Sequence, residues 1–322
     1  MSFSPFPVNN RLFTTLFALE SELQFEAGKN YLFDLTYLAA LAVEGERARD
    51  FLQGQLSCDL RKVNYSTIRQ AAMCNLKGRV LGLMDVLDWE GLHLVLPRDL
   101  IPATQISLSK TALLSRVNLK PTSTQIYGFY LDNPLDLLPV NISIPDEDLG
   151  LSANSDACCY RLSPQLFLIL INKDQASTLS QPFIANQQLR GSLAWHQLQL
   201  KRKAIEIYPQ TRGLFLPHRI DLHLSGYLSF DKGCYKGQEI IARTHYRAKI
   251  KHRLQLFTME SVEPLNIGAK LFSSSGEIEV GELIDYSPLG RDRYLIAASI
   301  LLEAPNEVLV EGHSKTLQLN LH

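Results

Sequence analysis

No pair among the five cysteines, at positions 58, 74, 158, 159 and 234, has C-x-x-C spacing, and their number is odd. Neither a zinc site nor a disulfide framework is therefore expected, and a reducing, cytoplasmic setting fits. The G-x-S-x-G elbow of a serine hydrolase, the phosphate-binding loop and the dinucleotide fingerprint are missing too, which removes three large enzyme classes. Apolar runs are short: Tyr37 to Val43, Leu166 to Ile171 and Tyr294 to Leu302 all fall far below the ~20 residues that cross a bilayer. The first positive side chain is Arg11, and Glu20 and Glu22 interrupt the early apolar residues, so neither a signal peptide nor a membrane partner is expected. A net charge of -1 supplies no global pull on nucleic acid, which leaves only local basic patches for an RNA contact. His196, His218, His223, His245 and His252 include no pair whose spacing stands out beside a carboxylate, so no metal is expected.

What is present is apolar substance: 322 residues, 46% of them hydrophobic, exceed what one core usually holds, and two or three domains are expected. Leu38 to Val43 reads as a short buried strand that turns at Gly45 into a helix over 46–56, on which Ala48, Phe51, Leu52 and Leu56 recur at helical spacing. Met73 to Asn75, the turn Lys77-Gly78 and Val80 to Leu87 read as a hairpin, with Leu92 to Leu96 as a further strand and a helix over 100–114. Strands are expected at Ile126 to Leu131, Tyr160 to Leu162 and Gln165 to Ile171, separated by a Pro-, Asn- and Asp-rich loop over 132–156. Helices follow at 175–179 and 193–203. Beyond Arg253 short alternating runs broken by Ser, Gly and Pro turns carry the signature of a small antiparallel barrel.

The segment Phe230 to Glu239 places two glycines, a thiol and dense charge just ahead of a helical pattern that continues through Ile240, Ile241, Arg243, Arg247 and Lys249. Cys234, flanked by Lys232 and Lys236 near a helix N-terminus, has the setting that lowers a thiol pKa and suits a reactive or metal-handling cysteine; a small buried hydrophobe is the plain alternative. Glu239 and Arg243 are spaced for a helical ion pair, and Gln238 carries the donor and acceptor that an amide-rich ring or a base edge requires. Trp195, one of two tryptophans, is either core or an aromatic platform for a flat ligand. Lys201-Arg202-Lys203 forms one basic patch. Arg243, Arg247, Lys249, Lys251 and Arg253 form a second.

Lys232-Gly233-Cys234-Tyr235-Lys236-Gly237-Gln238-Glu239 resembles the K-G-C-[FY]-x-G-Q-E signature of the YgfZ family, folate-binding proteins related to the aminomethyltransferase of glycine cleavage. Phe51-Leu52-Gln53-Gly54-Gln55 with Asp59 resembles that family's F-L-Q-G-Q-x-x-x-D helix, and Lys77-Gly78-Arg79 its K-G-[KR] hairpin. Phe215, Pro217, Ser229-Phe230 and the stretch from Glu239 to Arg243 match in order, so the resemblance spans residues 34 to 253.

The resemblance implies an α+β, three-domain cloverleaf: residues 1–120 completed by 204–250, residues 121–203, and a C-terminal barrel over 251–322. It implies tetrahydrofolate in a central cavity near Trp195, Tyr37, Leu38 and Arg243, with Leu38 at a position that is aromatic in the family. It also implies support of iron-sulfur protein maturation and, through it, tRNA modification, with iron-sulfur proteins or their assembly factors as partners. The related transferases carry an aspartate pair after the hairpin glycine, whereas this chain has Val80-Leu81-Gly82-Leu83; and Lys201-Arg202-Lys203 stands where they have a pterin-contacting E-A-G. A folate binder that does not cleave glycine is the expectation, since loss of an acid-base group commonly costs about 10² to 10⁴ in rate. The alternative is a folate-dependent one-carbon transferase acting on RNA or protein. Direct but weak tRNA contact through the two basic patches is a third expectation.

Overall fold

The computed structural model describes residues 4–135, 138–314 and 316–321. Three sheets organise it, following a short hairpin, Ser4–Val8 with Arg11–Thr15. The first sheet has five antiparallel strands in the order Arg69–Cys74, Val80–Asp88, Leu92–Pro97, Leu38–Glu44 and Asn118–Pro121. Along its strand Leu38–Glu44, Ala39, Leu41 and Val43 face one apolar cluster while Leu38 and Ala40 face another, the two-residue alternation of a strand covered on both sides. The helices Ala48–Gln55 and Ile101–Ser115 arise where the sequence places them. Pro102 sits in the first turn of the second, where its missing N–H costs nothing.

The second sheet runs Leu151–Ala153, Ala157–Ser163, Leu166–Ile171, Gln125–Tyr130, Tyr31–Asp34 and Leu189–Arg190. Every residue of Leu166–Ile171 is buried, as its unbroken apolar sequence requires of a central strand. Within the expected loop over 132–156 the three residues Leu151–Ala153 form an edge strand, and residues 136–137 lie outside the described residues. The C-terminal strands form a curled seven-stranded antiparallel sheet, a half-barrel. Leu254, Ile284 and Leu295 of this sheet join the cluster that holds Leu41 and Phe51, while Phe257, Leu283 and Ile296 join the one around Trp195.

The helix after the cysteine motif is Gln238–Arg247. It is shorter than its charge pattern suggests: Ala248 is extended, so Lys249 lies outside it. Likewise the helix expected over 193–203 ends at Lys201, and Lys203 adopts a left-handed φ of 62°.

Candidate functional site

The three motif segments, far apart in the chain, meet in space. Lys232 is buried, and its ammonium donates to the carbonyls of Gln53, Leu56 and Cys58, each at 2.7 Å. Those carbonyls stand at and just past the end of helix Ala48–Gln55, where unpaired C=O groups and the negative end of the helix dipole favour a cation. The amide of Lys236 adds a bond to Gly54 O at 3.1 Å. On the other side Gly237, at φ 85°, closes against the hairpin: a Cβ there would stand 2.5 Å from Asn75 O. Gly78, at φ 69° in the hairpin turn, has Ile240 and Ile241 atoms 3.1 to 3.3 Å from where its own Cβ would be. Only glycine satisfies both the dihedral angle and the close approach at these two positions.

This junction sorts the motif side chains. Lys232 and Tyr235 point inward, with the Lys232 Nζ 5.0 Å from the Tyr235 ring centre, while Cys234 is exposed. Burial pulls the Lys232 pKa down to about 8, but three carbonyl acceptors favour the charged form and keep it an ammonium at neutral pH. A lysine has three N–H donors, and all three are taken by carbonyls, so none remains for the Cys234 thiol. The Gln238 side-chain oxygen accepts from the Tyr235 amide at 3.3 Å, holding the loop instead of facing a ring. Gly233 and Glu239 are exposed. Glu239 and Arg243 form no ion pair among the described residues, contrary to the helical pairing expected from their spacing.

A second constellation is the cavity between the first two sheets. Tyr37, Leu38 and Trp195, which the resemblance groups, all line it; Arg243 and Lys201 do not, and both are exposed. Trp195 is mostly core: it is 1% exposed and packs on Gly128 and Phe33, leaving an edge to the cavity. Two carboxylates complete the lining. Asp85 is buried and accepts from Gln70 Nε2 at 3.0 Å and Tyr160 Oη at 2.8 Å, and burial raises its pKa despite both bonds. Glu206 accepts from Tyr37 Oη at 3.0 Å and Arg11 Nη1 at 3.0 Å, and burial raises its pKa too, opposed by the Arg11 charge.

Neither carboxylate is anticipated by the motifs, although a signal exists: each is a lone acid in an apolar stretch, Met84-Asp85-Val86 and Ile205-Glu206-Ile207. The stretch Val80 to Leu83 indeed lacks a carboxylate, but the strand carries Asp85 into the cavity two residues later. The cavity measures about 80 Å³. That is well below the roughly 300–1,000 Å³ of small-molecule sites, so a whole folate does not fit the cavity at its present width. The chemistry of the lining does fit the flat, N–H-rich end of a pterin, which needs acceptors and an aromatic neighbour.

Behind the cavity a buried network ties the third sheet to the rest. Asp285 accepts from Tyr208 Oη at 2.8 Å and the Glu206 amide at 2.9 Å, and stands 3.4 Å from His196 Nε2. Burial lowers the His196 pKa, but the charge and hydrogen bond of Asp285, the Glu206 charge and the Tyr286 carbonyl together outweigh it, and the net direction is up. Among the described residues no group of three or more His, Cys, Asp or Glu is placed to hold a metal ion.

No family model matches the chain. Individual proteins do. The tRNA-modifying protein YgfZ of Colwellia psychrerythraea is 25% identical over 263 residues, covering 77% of this chain and 78% of that protein. Its namesake in Escherichia fergusonii is 24% identical over 287 residues, covering 86% and 83%. The chain resembles the YgfZ proteins. Among solved structures, the glycine cleavage system aminomethyltransferase T from Bartonella henselae matches with a TM-score of 0.75 at 16% identity, covering 100% of this chain and 92% of that one. The likeness to the transferase is therefore one of fold, while the likeness to YgfZ runs through the sequence. No helix among the described residues is long and apolar enough to cross a membrane.

Proposed function

We propose that this chain is a YgfZ-like, non-catalytic factor that binds the pterin end of a tetrahydrofolate and supports tRNA modification through the upkeep of iron-sulfur proteins. The observation that carries the reading is the junction of the three motif segments, which spends Lys232, Gly237 and Gln238 on holding a loop whose exposed member is Cys234. A structure that commits so many polar groups to one exposed thiol suits transient contact with a partner's sulfur or iron. In the cavity Asp85 and Glu206 would accept from pterin N–H groups beside Trp195, once the lining side chains part to widen the narrow space.

Calorimetric titration with tetrahydrofolate tests the folate part. Micromolar binding that weakens at least tenfold in Asp85→Asn, Glu206→Gln and Trp195→Ala is expected; no heat up to millimolar ligand, or binding untouched by all three changes, overturns it. For the thiol, Cys234→Ser is expected to leave folding intact while lowering the activity of iron-sulfur enzymes that modify tRNA in cells lacking the native gene.

The second reading is a folate-dependent one-carbon transferase acting on RNA or protein. Asp85 favours it, as a buried carboxyl with a raised pKa in the cavity, the kind of group an acid-base step uses. Incubation with labelled methylene-tetrahydrofolate decides: if no carbon reaches glycine, tRNA or a protein partner, the enzyme reading fails.

A further inference from the structure

The helix Gln238–Arg247 buries one side and offers the other to solvent. Ile241 is fully buried. On the opposite side Glu239, Ala242, Arg243, Tyr246 and Arg247 line one shallow surface groove of about 560 Å³. Their spacing of three and four puts all five on one helix face. Tyr246 is 70% exposed. It stands edge-on to His245, ring centres 4.9 Å apart, and His245 in turn stacks on Phe230 at 3.9 Å and 18°. Among the described residues Arg243, Arg247, Lys249 and Lys251 take part in no ion pair, while the neighbouring Arg253 is occupied by Asp221 at 3.5 Å.

Of four unpaired cations along a run of nine residues, Arg247 alone, in the last turn, is placed to complement the helix dipole. The other three are not explained by helix stability, and the mutual repulsion of the four is a cost. Phe230 packs on the core, whereas Tyr246, exposed beside the imidazole that stacks on Phe230, is not needed for packing. Together they match what single-stranded nucleic acid requires: aromatic faces for unstacked bases and a basic track for phosphates. A duplex offers no free base to Tyr246. An acidic protein would use the cations and ignore the aromatic ladder. Glu239, at the start of the helix, is the acidic residue of the groove lining, and it marks the end of the track.

We propose that this helix face and the segment that follows it bind a single-stranded segment of RNA, with one base stacked on Tyr246, phosphates on Arg243 and Arg247 of the groove, and further phosphates on Lys249 and Lys251 beyond the helix end. The choice of RNA rests on the tRNA role proposed above; the single-strand geometry rests on the groove alone.

The test is fluorescence anisotropy of the full chain with a ten-nucleotide single-stranded RNA and with an RNA duplex of equal length, across a salt series. Single-strand binding is expected to exceed duplex binding at least fivefold. Tyr246→Ala should weaken it by about fivefold or more, the lower end for removal of one stacked base. The double change Arg243→Gln, Arg247→Gln should reduce the salt slope by about 1.4, at roughly 0.7 for each phosphate no longer neutralised. Duplex binding as tight as single-strand binding, or an unchanged affinity in Tyr246→Ala, overturns the proposal in favour of a plain cationic patch. Both variants lie on an exposed face, and an unchanged melting temperature by circular dichroism is the folding control; it does not depend on folate, so failure here is distinguishable from failure of the folate reading.

Discussion

The six-membered ring of Trp195 covers Gly128 so closely that a Cβ at that glycine would lie 2.4 Å from the indole Cε3. Gly128 sits in a central strand of the second sheet, opposite Phe33 on one side and Leu168 on the other, so the strand cannot retreat. The indole is thus placed by an absent side chain, and its cavity edge inherits that position. Gly128→Ala is expected to destabilise the protein by about 1–3 kcal/mol, the usual cost of overpacking. Gly54→Ala is the contrasting case. Nothing lies within 4 Å of its would-be Cβ, it stands in a helix, and a gain of about 0.5–1 kcal/mol is expected. Urea midpoints of the two variants check both signs.

Replacing Lys232 by Met keeps the aliphatic stem and removes the ammonium that serves three carbonyls. Leaving buried acceptors without donors is expected to cost about 2 kcal/mol or more. The exposed Cys234 loop should loosen with it, seen as faster alkylation of that thiol by iodoacetamide. An unchanged urea midpoint together with an unchanged alkylation rate would show that the ammonium does not hold the loop.

Asp85 supplies a pH dependence of defined sign. Its folded pKa is raised by burial, so the folded state holds the proton more tightly than the unfolded chain does. The associated stability is fully present below the unfolded carboxyl value and is lost as pH rises through the folded one. Asp85→Asn, which mimics the protonated form, should therefore gain stability relative to the wild type as pH rises from about 4. Melting temperatures of the pair between about pH 4 and pH 7 measure the gap, which is expected to widen upward.

His218 works in the opposite sense. Burial, aided by the nearby His223 and His245, pushes its pKa down to about 4. An unfolded histidine takes its proton near about pH 6.5. Stability from the neutral folded imidazole is therefore present at neutral pH, falls as pH drops from about 6.5 to about 4, and changes no further below that. His218→Gln should remove this loss, so that the variant gains on the wild type in acid; an equal difference in melting temperature at about pH 7 and about pH 4.5 would refute the assignment.

Much of the architecture is legible in the chain because short-range physics writes it there. The unbroken apolar runs of Leu38 to Val43 and Leu166 to Ile171 and the helical spacing of Ala48, Phe51 and Leu52 each lead to the element observed. Elsewhere a longer-range partner decides. Charge periodicity alone carries the motif helix on to Lys249, while the chain turns extended at Ala248. The Glu239–Arg243 pair is permitted by spacing yet unmade, because an exposed pair gains little from holding two long side chains together.

The sequence by itself determined the elements, the presence of three motif segments and the likeness to YgfZ, since propensity, periodicity and motif are local properties of neighbouring residues. Only the tertiary structure decided what those residues do. It turned Lys232 onto the end of a helix far away in the chain, at separations of 174 to 179 residues. It carried Asp85 and Glu206, lone acids in apolar strings, into the same cavity as Trp195. The physical reason is common to all three: a buried polar group must find its partner wherever the packed chain offers one, and that place is not written in the residues beside it.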